Sequence, residues 1–186
     1  MLNHLSPFSA STSWLSEIAA GQCTEKIRSW LYDPRSLTEK LEKSCHKFDV
    51  QVNQQLTLNS ADPKLSHYFN NKDKIFVRDV FLCCDDIPVV FAQTEMPLST
   101  LTGQQAQLTE IGSQSLGKLL FQDPSMYRGV IEVAKFTKNS PVKALCSSIG
   151  QCCADDLWAR RSVFYLNAKP LLVSELFLPA SGIYTQ

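Results

Sequence analysis

The chain has 186 residues, of which 44% are hydrophobic and 19% are charged. This length suits one domain with one core, and the apolar content argues against a disordered chain. Eighteen basic residues balance eighteen acidic ones, so the charge favours neither a nucleic acid nor an anionic membrane as partner. We therefore expect a single domain over residues 1–186 that binds a small molecule, and we expect it to be a monomer.

Membrane, export and metal signals are missing from the sequence. No apolar run approaches the roughly 20 residues that cross a bilayer, and residues 1–13 do not have the pattern of a signal peptide. The seven cysteines are odd in number and include two adjacent pairs, which does not suit a disulfide framework. No Cys-x-x-Cys or His-x-x-x-His spacing occurs, so we expect no metal. We expect a cytoplasmic protein with reduced thiols and no membrane insertion.

The first 46 residues have helical patterns. The short apolar stretch Trp14–Ala20 predicts a helix packed on the body of the domain, within an N-terminal helical extension of residues 1–23. Thr24–Leu31 predicts a second helix, which Asp33-Pro34 ends. Ser36-Leu37-Thr38-Glu39 has the form of a capping box and predicts a helix through about Ser44.

Strand patterns begin at Lys47, where apolar and polar residues alternate. The predicted strands are residues 47–53, 74–84, 89–96, 127–136, 158–166 and 171–178, with hairpin turns at 85–88 and 167–170. Leu98–Gly112 and Leu116–Phe121 predict two more helices, and 137–156 predicts a surface insertion. Because the strands come in runs, we expect an α+β domain with a six-stranded antiparallel sheet and helices packed against it.

Five segments in order resemble the motifs of chorismate pyruvate-lyases. They are F-V-R-D-V at 76–80, P-L-S-T-L-T-G at 97–103, I-G…L-G-K-L-L-F at 111–121, W-A-R-R-S at 158–162 and P-L-L-V-S-E-L-F-L-P at 170–179. The resemblance implies a six-stranded antiparallel sheet with helices. It also implies an enzyme that splits chorismate into 4-hydroxybenzoate and pyruvate, supplying the ubiquinone ring without a metal or redox cofactor.

Arg78 is the first candidate site residue, because it lies in a strand rich in Ile, Phe and Val. An unpaired cation there would be costly, and a guanidinium can bind a carboxylate through two hydrogen bonds. The local pattern alone leaves open an outward-facing arginine or a structural ion pair. The resemblance implies that Arg78 anchors the ring carboxylate of chorismate.

Leu37 and Leu116 each stand near the first turn of a predicted helix, after Ser36 and Ser115. Backbone N–H groups there have no partner within the helix and favour an anion. The resemblance implies that both leucines supply such amides to the same carboxylate; without it they are two ordinary apolar residues. The family commonly has proline at position 115 and in some members methionine at position 37, changes that a main-chain contact tolerates.

Glu175 is the second charged candidate, since its strand is apolar except for Ser174 and Glu175 itself. A carboxylate in such a strand is paired or functional. The resemblance implies that it faces the hydroxyl end of the ring, opposite Arg78, as a base or as an orienting group. The alternative is a salt bridge across the hairpin with Arg160 or Arg161.

Gln93 is a departure, because the family often has arginine at this position. If that arginine binds the second carboxylate of chorismate, Gln93 would do so more weakly, as a neutral donor. Arg160 or Arg161 could compensate, but adjacent residues of a strand face opposite ways, so at most one of them points inward.

Three other functions compete with this one. The first is a lyase that makes a different hydroxybenzoate from chorismate. The second is a ligand-sensing domain, since the same fold serves as the effector-binding half of some transcription regulators. About 46 residues precede the first predicted strand and contain no basic recognition helix, which disfavours it. The third is a non-catalytic interaction protein, which would not need both Arg78 and Glu175.

Overall fold

One antiparallel sheet runs through the described part of the chain. The computed structural model describes residues 6–9, 13–19, 21–59, 68–70, 72–138, 140–153 and 155–185. Within these ranges the strands are β1 (Phe48–Leu58), β2 (Ile75–Cys84), β3 (Ile87–Pro97), β4 (Tyr127–Arg128), β5 (Glu132–Phe136), β6 (Leu157–Leu166) and β7 (Lys169–Phe177). The α-helices are α1 (Glu25–Leu31), α2 (Leu37–Glu42), α3 (Leu116–Gln122) and α4 (Val142–Ser148). Short 3-10 helices cover Pro7–Ser9, Gly103–Thr109 and Pro179–Ser181.

The sheet has the strand order β1-β2-β3-β7-β6, and both β4 and β5 pair with β6 at the far edge. The expected α+β class and antiparallel sheet are confirmed, with seven strands in the described residues instead of six. The predicted strand 127–136 is divided in two. Gly129 donates its N–H to the Val163 carbonyl at 2.8 Å, and a Cβ on Gly129 would lie 3.2 Å from that oxygen. The chain then leaves the ladder before β5 begins.

Two hairpins join the paired strands, as predicted. Asp85 and Asp86 have φ of 51° and 65° between β2 and β3, and Asn167 and Ala168 have φ of 49° and 62° between β6 and β7. Two consecutive residues at positive φ characterise a two-residue type I′ turn, whose twist matches that of the strands. The register of both hairpins is therefore determined by short local sequences.

Hydroxyl caps begin three of the helices. Thr24 accepts a hydrogen bond from the Ile27 N–H, and Ser36 accepts one from the Glu39 N–H. Ser115 caps α3 in the same way through the Lys118 N–H. The predicted starts of α1, α2 and α3 are confirmed, because capping depends on residues close together in sequence.

Helices cover both faces of the sheet. Leu31 and Leu41, from α1 and α2, pack with Val80 of β2, and α3 packs through Leu116 and Leu120 beside Phe164 of β6. On the opposite face α4 contributes Val142 and Cys146 to a cluster with Phe81, Phe91 and Leu176. The sheet is thus buried on both sides, which explains the nearly continuous burial along β2 and β6.

The helix predicted for Trp14–Ala20 is wrong over its described residues, 14–19. Leu15 instead forms a bridge with Val133 of β5, through N–H···O distances of 2.9 and 2.8 Å. Trp14 packs on Phe8 and Phe136. An edge strand offers free backbone groups, so this short apolar segment pairs with the sheet. Ala20 lies outside the described residues, as do 1–5 and 10–12 of the predicted extension.

The helix predicted for Leu98–Gly112 is replaced by turns and the 3-10 helix Gly103–Thr109. Gly103 and Gly112 have φ of 64° and 53°, a left-handed conformation that ends α-helical geometry. The predicted surface insertion 137–156 also needs correction. It contains α4, whose Val142 and Cys146 are fully buried, so its described part contributes to the core.

Candidate active site

A cavity lies between the sheet and the first turns of α2 and α3. Much of its wall is apolar, contributed by Leu37, Val50, Val80, Leu82, Ala92, Leu116, Leu120, Phe121, Phe164 and Val173. Among the described residues, the charged side chains that line it are Arg78, Arg128, Arg160 and Glu175. A mostly apolar cavity with a few convergent polar groups is the usual form of a small-molecule site. Three cations against one carboxylate suit an anionic ligand.

Arg78 is 1% exposed. Among the described residues of β2, it is the only charged side chain that lines the cavity. Its Nη2 donates to the carbonyls of Gly112 and Gln114 at 2.7 and 3.1 Å. Its Nε is buried without a hydrogen-bond partner among the described residues, and burial lowers the pKa of the guanidinium. Since an uncompensated buried cation is costly, these donors mark a place for an anion.

Glu175 lies two strands away on β7. Its Oε2 accepts a 2.6 Å hydrogen bond from Arg160 Nε, and the two side chains are 14% and 2% exposed. Arg160 Nη1 also donates to the carbonyls of Trp30 and Asp33. The predicted alternative, a salt bridge across the hairpin, is therefore present. It leaves Glu175 on the cavity wall, with no hydrogen bond to Oε1 from the residues that the structure describes.

Arg160 and Arg161 point to opposite faces of β6, as the strand geometry predicts. Arg160 lines the cavity, whereas Arg161 Nε donates to Glu132 Oε2 at 2.7 Å on the other side of the sheet. The guanidinium of Arg161 also stacks over the Trp14 ring, 4.4 Å from its centroid. The inward cation is thus already paired with Glu175.

Arg128 on β4 is a cavity residue that the sequence interpretation missed. Its Nε donates to Ser162 Oγ at 3.0 Å, and Nη1 donates to the Pro34 carbonyl at 3.2 Å. Burial, followed by the nearby charge of Arg160, lowers the pKa of its guanidinium to about 10, so it stays charged at neutral pH. The signal was available, because Arg128 precedes a Val- and Ile-rich segment just as Arg78 lies within one.

The starts of α2 and α3 meet at the cavity. Thr38 Oγ1 and Ser115 Oγ are 2.6 Å apart, and a Cβ on Gly117 would lie 3.0 Å from Thr38 Oγ1. Leu37 and Leu116, the first residues of the two helices, both line the cavity. The structure therefore brings all four predicted site residues, Arg78, Glu175, Leu37 and Leu116, to one cavity.

Gln93 does not belong to this cavity. Its Nε2 donates to Asp79 Oδ1 at 2.9 Å on the opposite face of the sheet, where Ser6 Oγ also donates to its Oε1 at 2.7 Å. From this position Gln93 has no contact with the cavity, so its conditional role at the second carboxylate gains no support. Arg78 and Asp79 are neighbours on β2 and face opposite ways, and Gln93 pairs with Asp79 in the β2–β3 register.

Comparison with known proteins identifies the family of this chain. The family model for chorismate lyase matches residues 9–186. The chain belongs to the chorismate lyase family. A probable chorismate pyruvate-lyase of Psychromonas ingrahamii is 54% identical over 180 residues, covering 97% of each chain. A second family member, from Shewanella sp. (strain MR-7), is 36% identical and covers 94% of this chain and 91% of its own length.

Solved structures share the fold of this chorismate lyase family member at low sequence identity. The effector domain of PhnF from Mycobacterium smegmatis superposes with a TM-score of 0.58 at 15% identity, covering 78% of this chain and 89% of that domain. A GntR family regulator from Bacillus cereus gives 0.52 at 14% identity, with coverages of 71% and 92%. These likenesses concern the fold alone.

Two further features of the described residues bear on partners and cofactors. None of their helices has the length and hydrophobicity that crossing a membrane requires. No group of three or more His, Cys, Asp or Glu side chains in these residues suits a metal ion.

Proposed function

We propose that this protein eliminates pyruvate from chorismate to give 4-hydroxybenzoate. The C–O bond between the ring and the enolpyruvyl oxygen breaks, and the ring carbon that bears the hydroxyl loses its hydrogen. The pyruvate enolate that leaves takes up a proton. Because the ring becomes aromatic, the reaction is strongly downhill. It therefore requires positioning and charge stabilisation, with no need for a metal or a redox cofactor.

The observation that carries this proposal is that Arg78 and Glu175 line one cavity. Arg78 pairs with Thr94, Thr94 pairs with Val173, and Glu175 is two residues further along β7 on the same face. From the usual strand spacing and rise, their Cα atoms are about 12 Å apart. Two side chains that extend from these positions leave room between them for a six-membered ring with polar groups at opposite ends.

Arg78 is proposed to bind the ring carboxylate. Two of its N–H groups are held by the Gly112 and Gln114 carbonyls, which orients the guanidinium, and the buried Nε remains to be satisfied. The backbone amides of Leu37 and Leu116 are proposed to bind the same carboxylate, because amides in the first turn of a helix have no partner within it. The stacked helix starts, joined by Thr38 and Ser115, support this arrangement.

Glu175 is proposed to bind the hydroxyl end of the ring. Its Oε2 is held by Arg160, while Oε1 is available to accept a hydrogen bond from the substrate hydroxyl. The same carboxylate lies near the hydrogen that is eliminated, so it acts either as a general base or as an orienting group. We further expect the protein to be a cytoplasmic monomer whose product supplies the ring of ubiquinone.

The test is an assay of the purified protein with chorismate. Formation of 4-hydroxybenzoate is followed by its ultraviolet absorbance, and pyruvate is counted in parallel by a coupled enzyme. Equimolar 4-hydroxybenzoate and pyruvate are expected. A different hydroxybenzoate would establish the alternative lyase. Tight binding of chorismate without turnover would favour the ligand-sensing alternative, which is retained because a GntR family regulator has a similar fold.

A further inference from the structure

We propose that Arg128 binds the second carboxylate of chorismate, the one on the enolpyruvyl group. This inference rests on the proposed function and assigns a substrate contact to a residue outside the Arg78–Glu175 pair. Chorismate carries two carboxylates and 4-hydroxybenzoate carries one. A residue that binds only the enolpyruvyl carboxylate therefore distinguishes the substrate from the aromatic product.

Among the described residues, Arg128 forms no ion pair, although the carboxylates of Glu175 and Asp33 are near enough to act on its charge. Arg160 forms its ion pair with Glu175 at 2.6 Å, and Arg78 is assigned to the ring carboxylate. Arg128 makes hydrogen bonds only to neutral oxygens among the described residues, those of Ser162, Pro34 and Asp33. A dianion bound in the cavity brings two negative charges, and within the described residues Arg78 and Arg128 are the two cavity cations that form no ion pair.

The sheet places Arg78 at one end of a row of paired residues and the guanidinium of Arg128 against the other end. Arg78, Thr94, Val173 and Ser162 are paired in register across β2, β3, β7 and β6. Arg128 Nε donates to the last of these residues, Ser162. Three strand spacings separate the ends of the row, about 14 Å. This distance separates backbone positions, and both arginine side chains line the one cavity. A ligand that bears carboxylates on two different substituents can therefore contact both cations, whereas a single benzoate carboxylate contacts one.

The guanidinium of Arg128 is held in place before any ligand binds. Ser162 and the Pro34 carbonyl bind Nε and Nη1, and the guanidinium carbon lies 5.1 Å from the centroid of the Phe164 ring. Nη2 has no hydrogen-bond partner in the described ranges. A fixed guanidinium with one nitrogen still available needs little reorganisation to receive a carboxylate. Removal of the enolpyruvyl group then ends this contact, which weakens the hold on the product.

The experiment compares substrate and product affinity in three variants. Arg128→Gln removes the charge and keeps a hydrogen-bond donor, and Arg128→Lys keeps the charge on a shorter side chain. Arg161→Gln is the matched control, because it is the same substitution at an arginine whose side chain lies on the opposite face of the sheet, away from the cavity. For each folded variant, kcat/KM for chorismate and the inhibition constant of 4-hydroxybenzoate are measured together, with the thermal midpoint as a check on folding.

The expected result is selective. Arg128→Gln should lower kcat/KM for chorismate by roughly 10- to 100-fold, the effect of one charge-assisted contact, and leave the inhibition constant of 4-hydroxybenzoate unchanged. Arg128→Lys should recover part of the loss, and Arg161→Gln should change neither quantity. Equal losses for chorismate and 4-hydroxybenzoate would mean that Arg128 only supports the cavity wall, and would overturn this inference alone. An unaltered enzyme that releases no 4-hydroxybenzoate overturns the proposed function and this inference with it.

Discussion

Two ion pairs on opposite faces of the sheet allow the role of Glu175 in catalysis to be separated from its role in stability. Glu175 and Glu132 each accept a hydrogen bond through Oε2 from the Nε of an arginine on β6, at 2.6 and 2.7 Å. The arginines, Arg160 and Arg161, are adjacent in sequence. Only the pair that includes Glu175 faces the cavity. Glu175→Gln and Glu132→Gln are therefore matched substitutions.

The stability cost of Glu175→Gln follows from the surroundings of the pair. Breaking a fully buried ion pair costs about 3–5 kcal/mol. Here the glutamine oxygen can still accept the Nε hydrogen bond, and Arg160 keeps the carbonyls of Trp30 and Asp33. The expected loss is therefore that of a charge-assisted hydrogen bond, about 1.5–3 kcal/mol. For a chain of this size it lowers the thermal midpoint by roughly 3–12 °C.

The pair formed by Glu132 is more exposed, with side chains that are 12% and 22% accessible. Glu132 also accepts a hydrogen bond from the Tyr68 hydroxyl at 2.6 Å, a contact that glutamine can keep. Glu132→Gln should therefore cost a similar or smaller amount of stability. Its kcat with chorismate should equal that of the unaltered enzyme.

The assays are a thermal melt and the steady-state release of 4-hydroxybenzoate. Glu175→Gln should lower kcat by about 100-fold or more if the carboxylate acts as a general base. If Glu175 only orients the hydroxyl, Glu175→Gln should keep most of the activity and Glu175→Ala should lose it. A folded Glu175→Ala variant with the kcat of Glu132→Gln would refute the assignment of Glu175 to the site.

The remaining predictions concern Arg78, metals and thiols. Arg78→Ala should weaken the binding of both chorismate and 4-hydroxybenzoate, by about 1.5–3 kcal/mol, as measured by inhibition and by KM; a folded variant with normal kinetics would contradict this. Activity should survive exhaustive chelation, and recovery of lost activity on adding zinc or magnesium would count against the mechanism. Burial raises the thiol pKa of Cys83 to about 11 and of Cys146 to about 12, so at pH 8 their reactive thiolates are scarce. The exposed Cys152 should be alkylated first, without loss of activity, and denatured protein should titrate as seven thiols.

The elements that could be predicted from the sequence are those determined by neighbouring residues. The hydroxyl caps Thr24, Ser36 and Ser115 act within one helical turn, and the Asp85-Asp86 turn acts within four residues. Because these interactions are local, the helix starts and hairpins were predicted correctly. The failed prediction of a helix at Trp14–Ala20 has a long-range cause: Leu15 pairs with Val133 at a separation of more than 100 residues, so no local pattern predicts this pairing.

The sequence by itself also determined which strands carry charge, since Arg78 and Glu175 interrupt apolar runs and buried charge needs a partner or a ligand. Only the tertiary structure decided what each charge faces. The strand register places Gln93 against Asp79 and away from the cavity, and it joins Glu175 to Arg160. It also brings Arg128 across from a separate strand to Ser162. Side chains alternate between the faces of a strand, so the pairing of strands distant in sequence decides which charges share the cavity.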